Sequence, residues 1–107
     1  MATSINTDDL LDLTKKTPVH IVDVRRKPVF DASSSVIAGA VWCNPEEINT
    51  WQSTLDKQRE VIVYCVHGHQ VSQGCADALV QAGFKARYLE GGFEHWVEEG
   101  KPVRAKP

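Results

Sequence analysis

The sequence predicts an α/β fold, a small central parallel sheet with helices on both faces, and three observations lead there. Short apolar or β-branched runs recur at residues 20–24, 40–42, 61–64 and 86–89. Segments with helical spacing of apolar residues separate them, so strands and helices alternate along the chain. The length of 107 residues and the 42% hydrophobic content fit a single domain, residues 1–107, with one modest core. In sheets of this kind the ligand site lies at the carboxyl ends of the strands.

Each element has a local reason. Asn6 and the acidic pair Asp8 and Asp9 start a helix over 7–16, with Ile5 placed to staple onto Leu10 and Lys15 and Lys16 suiting its far end. His20-Ile21-Val22-Asp23-Val24 is a buried strand. Residues 25–35 show no period and are rich in Ser, Pro and charge, which predicts a long loop. Ala40-Val41-Trp42 is a second strand. Asn44, Pro45 and Glu47 then give a cap, a first-turn proline and a capping-box acid for a helix whose apolar face is Ile48, Trp51 and Leu55.

Val61-Ile62-Val63-Tyr64 is the third strand. Val71, Cys75, Ala78, Leu79 and Ala82 recur at helical spacing, and Gly83 stands where a left-handed residue ends a helix. Ala86-Arg87-Tyr88-Leu89 is the fourth strand. Gly91-Gly92 makes a turn, and Phe93, Trp96 and Val97 belong to a short helix stopped by Gly100 and Pro102. The polar tail, residues 101–107, is expected to fray.

The net charge of −2, spread along the chain, offers no basic stripe and predicts no nucleic-acid partner. No apolar run approaches the roughly 20 residues needed to span a bilayer, so no membrane role is expected. The first residues lack a cationic stretch and an apolar stretch, which points to the cytoplasm. Cys43, Cys65 and Cys75 form an odd set without C-x-x-C spacing, which argues against a disulfide framework and leaves thiol chemistry open.

Cys65 is the most informative of the three, because it ends an apolar strand and precedes a short loop and a helix. A free thiol with a pKa near ~8.5 is only a few per cent ionised at neutral pH, so a nucleophilic role needs help. A helix N-terminus contributes at most about one pKa unit. The remainder is expected from main-chain N–H groups of Val66, His67, Gly68, His69, Gln70 and Val71 curled round the sulfur, with Gly68 free to take a positive φ. His67 and His69 are candidate partial cations in that loop, which ends at Ser72. Cys65-x-His67-x-His69 lacks a third ligand at compact spacing, so no metal is expected. Cys75 and Cys43 read as packing residues, His20 and His95 as satisfied or surface groups, and the three tryptophans as core.

Four segments in order resemble the motifs of the rhodanese (sulfurtransferase) superfamily in its single-domain form. Asp23-Val24-Arg25 resembles its D-x-R, Ile37-Ala38-Gly39-Ala40 its I-P-G-A, Cys65-Val66-His67-Gly68 its C-x-x-G loop, and Gly91 to Trp96 its G-G-x-x-x-W. The resemblance implies a rhodanese-like fold and a thiosulfate sulfurtransferase. In that mechanism the Cys65 thiolate takes the outer sulfur of thiosulfate or a similar sulfane donor, sulfite departs, and the persulfide passes its sulfur to a thiol or cyanide acceptor. A protein donor or acceptor is a further possible partner, and no cofactor is implied. Asp23 and Arg25 read first as a structural pair, with donor binding by Arg25 as the alternative.

The chain also departs from the family pattern. Residues 66–72 contain no Arg or Lys, which many thiosulfate-using relatives carry, while Val36 and Ala38 replace the usual His and Pro. A C-x5-R phosphatase or arsenate reductase is disfavoured because Val71 occupies the arginine position. A persulfide-carrying module that turns over small donors poorly is the main alternative, and a redox-sensing thiol a lesser one.

Overall fold

The computed structural model describes residues 2–106. The chain runs β1 (Thr3–Ile5), α1 (Thr7–Lys16), β2 (His20–Asp23), α2 (Lys27–Ala32), β3 (Ser35–Ile37), β4 (Ala40–Trp42) and α3 (Ile48–Trp51). It continues through β5 (Val61–Tyr64), α4 (Gln70–Gln81), β6 (Ala86–Leu89), α5 (Gly92–Glu98) and β7 (Val103–Ala105). Short 3-10 turns at Pro45–Glu47 and Gln52–Thr54 flank α3.

Five strands form one parallel sheet in the order β1-β6-β5-β2-β4, and β3 pairs antiparallel with β7 in a separate ribbon. Alternation along β5 explains the two-faced core. Ile62 and Tyr64 join Leu10 of α1 and Trp96 of α5 on one face. Val61 and Val63 join Trp51 of α3 and Cys75, Ala76 and Leu79 of α4 on the other. Helices therefore cover both faces, as expected for a parallel sheet.

The helix starts follow local chemistry where the sequence carried a cap. The Asn6 side chain accepts from the Asp9 N–H at 2.8 Å, and the Asn44 side chain accepts from the Glu46 N–H at 3.0 Å. Ile5 and Leu10 are buried in the same cluster.

Three expectations are corrected. The loop at 25–35 contains α2, six residues with a proline in its first turn, no side-chain cap and no buried residue. It is held from outside: Phe30 stacks on Trp42 at 4.8 Å, and the Lys106 ammonium donates to the Phe30 carbonyl. The helix after Asn44 is split into a 3-10 turn and the four-residue α3. The tail is held over its described residues 101–106, because β7 pairs with β3 and the Pro102 carbonyl accepts both the Trp96 indole N–H and the Ala38 N–H, while residue 107 lies outside the described residues. Two further strands, β1 and β3, form in segments that carry no strand pattern in the sequence.

The topology also creates the site. From β2 the chain moves outward to β4, then returns to β5 on the other side of β2 and continues to β6. Connections leaving β2 and β5 thus diverge, and a crevice opens beyond the carboxyl ends of these two neighbours.

Candidate active site

Cys65 follows β5 directly and sits in that crevice, at the wall of a cleft of about 520 Å³. The expected loop residues Val66, His67, His69, Gln70 and Val71 line the cleft with it, and so does Arg25 from the end of β2. Gly68, Ser72 and Asp23 are buried behind the wall. Cys65 is largely covered, at 7% exposed, although it borders the cleft.

The sulfur has a specific partner. Cys65 Sγ and the fully buried Ser72 Oγ are 3.2 Å apart, with the thiol donating, and the Ser72 hydroxyl in turn faces the His69 carbonyl at 3.4 Å. A hydroxyl can rotate to donate instead once the sulfur is an anion. The main-chain amides expected round the sulfur do not meet it: among the described residues, no backbone N–H reaches Sγ at hydrogen-bond geometry. The loop is instead tied down through its carbonyls. Phe93 and Glu94, in the first turn of α5, donate to the Cys65 and Val66 carbonyls at 2.9 and 3.0 Å, and Gln73 Nε2 donates to the Gly68 carbonyl at 3.0 Å. The 12-residue α4 then starts at Gln70 with no side-chain cap, which leaves its first-turn N–H groups and positive dipole end beside the cleft.

Gly68 takes the positive φ that the sequence suggested, +75°, and its neighbours leave no room for a side chain. A Cβ there would lie 2.7 Å from the Leu89 carbonyl oxygen and 2.9 Å from the Gly91 nitrogen. Gly68→Val should therefore displace the loop against the β6–α5 turn and lower cysteine-dependent turnover by roughly tenfold or more, combining left-handed strain of about 1–2 kcal/mol with a backbone clash. Steady-state kinetics on the folded variant would decide it, and unchanged kinetics would show that the loop tolerates a side chain there.

The charged neighbours are not equally available. Asp23 and Arg25, 0% and 2% exposed, form a forked pair: Arg25 Nε lies 3.0 Å from both carboxylate oxygens, and a terminal nitrogen lies 2.7 Å from Oδ2. That nitrogen also donates to the Ser35 carbonyl, and the guanidinium lies 4.3 Å from the Phe93 ring centroid. Burial pushes the Tyr64 phenol far up, so it stays protonated, donates to Asp23 Oδ2 and accepts from the Ile37 N–H. Arg25 thus touches the cleft but is engaged as a structural cation. His67 Nδ1 lies 3.3 Å from a Glu94 carboxylate oxygen at the rim.

Outside the cleft, His20 accepts the Asp56 N–H and His95 lies beside Glu99. Among the described residues no group of three His, Cys, Asp or Glu side chains is placed to hold a metal.

The other two cysteines carry thiols that their surroundings hold protonated. The Cys75 thiol is pushed up to about 11, first by burial and then by the nearby Cys65, and burial also raises Cys43. At pH 8 only about one Cys75 in a thousand would be ionised. Iodoacetamide should therefore leave Cys75 unmodified in the folded protein and label it after denaturation, as peptide mass mapping would show. Rapid labelling of native Cys75 at that pH would contradict its role as a packing residue.

One gap in the sequence reading was Arg26. It lines the cleft from the start of α2, where the sequence suggested only loop. The adjacent pair Arg25-Arg26 is the signal in the sequence, although only Arg25 matches the D-x-R motif.

The sequence profile of the rhodanese-like domain matches residues 6–99. The chain belongs to the rhodanese-like domain family. Rhodanese-like relatives include the thiosulfate sulfurtransferase GlpE of Coxiella burnetii, 38% identical over 86 residues that cover 79% of this chain and 78% of that protein. The thiosulfate sulfurtransferase GlpE of Shewanella oneidensis is 34% identical over 95 residues, covering 88% and 91%. Among solved structures, a rhodanese-related protein from Thermoplasma volcanium superposes with a TM-score of 0.82 at 29% identity, covering 95% of this chain and 97% of that one. The rhodanese-like architecture, a five-stranded parallel sheet between helices, is thus shared over 95% of this chain. No helix among the described residues is long and apolar enough to cross a membrane.

Proposed function

We propose that this rhodanese-like protein is a sulfurtransferase that moves a sulfane sulfur from thiosulfate or a similar donor to a thiol or cyanide through a persulfide on Cys65. The observation that carries the reading is the position of Cys65 Sγ, at the strand-end crevice, beside a rotatable hydroxyl and the uncapped start of α4.

The first half-reaction is a substitution at divalent sulfur. The Cys65 thiolate forms a bond to the outer sulfur of thiosulfate, the donor's S–S bond breaks, and sulfite leaves with the electron pair. The enzyme is left with a charged persulfide. A thiolate approaching a dianion to about 4 Å faces roughly 8 kcal/mol of repulsion at an effective dielectric of about 20, so the site must supply positive potential. The α4 dipole and the Ser72 hydroxyl supply part of it. In the second half-reaction the acceptor attacks the outer sulfur and Cys65 leaves as the thiolate, which regenerates the starting state.

Kinship with proteins named thiosulfate sulfurtransferase supports the donor class. The carrier alternative is supported by a separate observation: the rim is apolar and exposed at Val29, 44%, and a second groove of about 410 Å³ continues past Val66 toward Phe93 and Val97. Intact mass measurement tests the proposal. Exposure to thiosulfate should add one sulfur atom, cyanide should remove it, and Cys65→Ser should stay unmodified. Persulfide formation with a protein desulfurase but not with thiosulfate would favour the carrier.

A further inference from the structure

We infer that Arg26 is the cation that recognises the anionic end of the sulfur donor and thereby sets donor specificity, an inference that rests on the sulfur-transfer reading above. The active-site loop contains no Arg or Lys. Two other cationic groups at the cleft are already engaged, Arg25 on Asp23 and the Ser35 carbonyl and His67 on Glu94, and His69 offers a single imidazole without the planar fork of a guanidinium. Arg26 differs from the two engaged groups. Its side chain is exposed, and among the described residues no carboxylate or carbonyl engages its guanidinium.

Its place in the fold is equally specific. Arg26 follows the end of β2, on the opposite side of the crevice from Cys65, which follows the end of β5. It lines the Cys65 cleft and also a neighbouring cleft of about 270 Å³ bordered by Glu46, Ile48 and Cys75, with Val71 between the two. Arg26 therefore borders both clefts, and its exposed side chain can serve an anion entering by either one. Thiosulfate presents one reacting sulfur and three oxygens at the other end. With the outer sulfur directed at Cys65, the oxyanion end points back toward the mouth, where a planar fork of donors can hold two oxygens at once. As the donor's S–S bond breaks, the electron pair moves onto sulfite, so Arg26 also faces the charge that develops on the leaving group. Thiosulfonates, which share the oxyanion end, belong to the same ligand class.

The test compares wild type, Arg26→Gln and Arg26→Lys in thiosulfate:cyanide turnover, with alkylation of Cys65 by uncharged iodoacetamide as a control. Arg26→Gln should lower kcat/KM for thiosulfate by about tenfold or more, chiefly through KM, with partial recovery in Arg26→Lys because lysine restores charge without the fork. Iodoacetamide should react with Cys65 at a rate within about twofold of wild type, since it carries no charge to recognise. Thiosulfate kinetics unchanged in Arg26→Gln would overturn the inference. So would a parallel fall in iodoacetamide reactivity, which would place the effect on the thiol instead of the donor. Calorimetric binding of thiosulfate to Cys65→Ser, with and without Arg26→Gln, separates this claim from the chemistry. Weaker binding on loss of Arg26 supports it even if wild type forms no persulfide, and equal or absent binding in both overturns it.

Discussion

Cys65→Ser is expected to abolish sulfur transfer, lowering thiosulfate:cyanide turnover by roughly 10³-fold or more, while leaving the melting temperature close to that of the parent. A serine hydroxyl is almost the size of the thiol, so the contact with Ser72 at 3.2 Å and the surrounding packing tolerate it. The chemistry does not tolerate it, because an alkoxide is inaccessible near neutral pH and a hydroxyl cannot carry a transferable sulfur. Cys75 cannot substitute: it packs in the core cluster under α4, and burial together with the nearby Cys65 holds its thiol protonated. Assaying turnover together with circular dichroism separates the two effects. Residual turnover above about 10% in the serine variant would place the sulfur-carrying atom elsewhere.

Asp23→Ala is expected to cost about 3–5 kcal/mol of stability, the largest loss foreseen for any single side chain near the site. Asp23 is fully buried beneath the cleft and accepts from three groups: the Arg25 guanidinium, the Arg25 main-chain N–H and the Tyr64 hydroxyl. Its removal leaves a guanidinium that is 2% exposed without a counter-charge, and a buried phenol without an acceptor. Set against a total stability of about 5–15 kcal/mol, this takes about a fifth or more of the margin. Urea unfolding measures it directly. The double variant Asp23→Ala/Arg25→Met should recover part of the loss, because the unpaired charge goes with the arginine. A double variant as unstable as the sum of the two single ones would show that the buried pair owes its effect to packing alone.

Asp23 and Arg25 illustrate how far local sequence reaches. Their pairing was legible through the resemblance of Asp23-Val24-Arg25 to the family's D-x-R motif, and the structure shows the contact. The strand at 61–64 was legible too, as four apolar residues in a row, and so was the helix after it, from its 3.6-residue spacing. The cap at Asn6 and the positive φ at Gly68 followed from what those side chains, or the lack of one, permit. Short pieces stabilised from afar were not legible. Helix α2 has six residues, no side-chain cap and no buried face, and depends on Trp42 and Lys106. β1 has three residues and exists because it pairs with β6 more than eighty positions away. The exposed β7 exists because β3 offers it an edge.

The sequence by itself determined the α/β alternation and the strand, glycine-containing loop and helix that carry Cys65, because propensity, capping and apolar spacing act over a few residues. Tertiary structure alone decided what surrounds the sulfur. The strand order β1-β6-β5-β2-β4 sets the end of β2 beside the end of β5, so Arg25 and Arg26, forty residues before Cys65, reach its cleft. Packing then distinguishes the two arginines, burying one against Asp23 and leaving the other open to solvent. No rule acting between near neighbours distinguishes them, because burial is a property of the assembled sheet and helices.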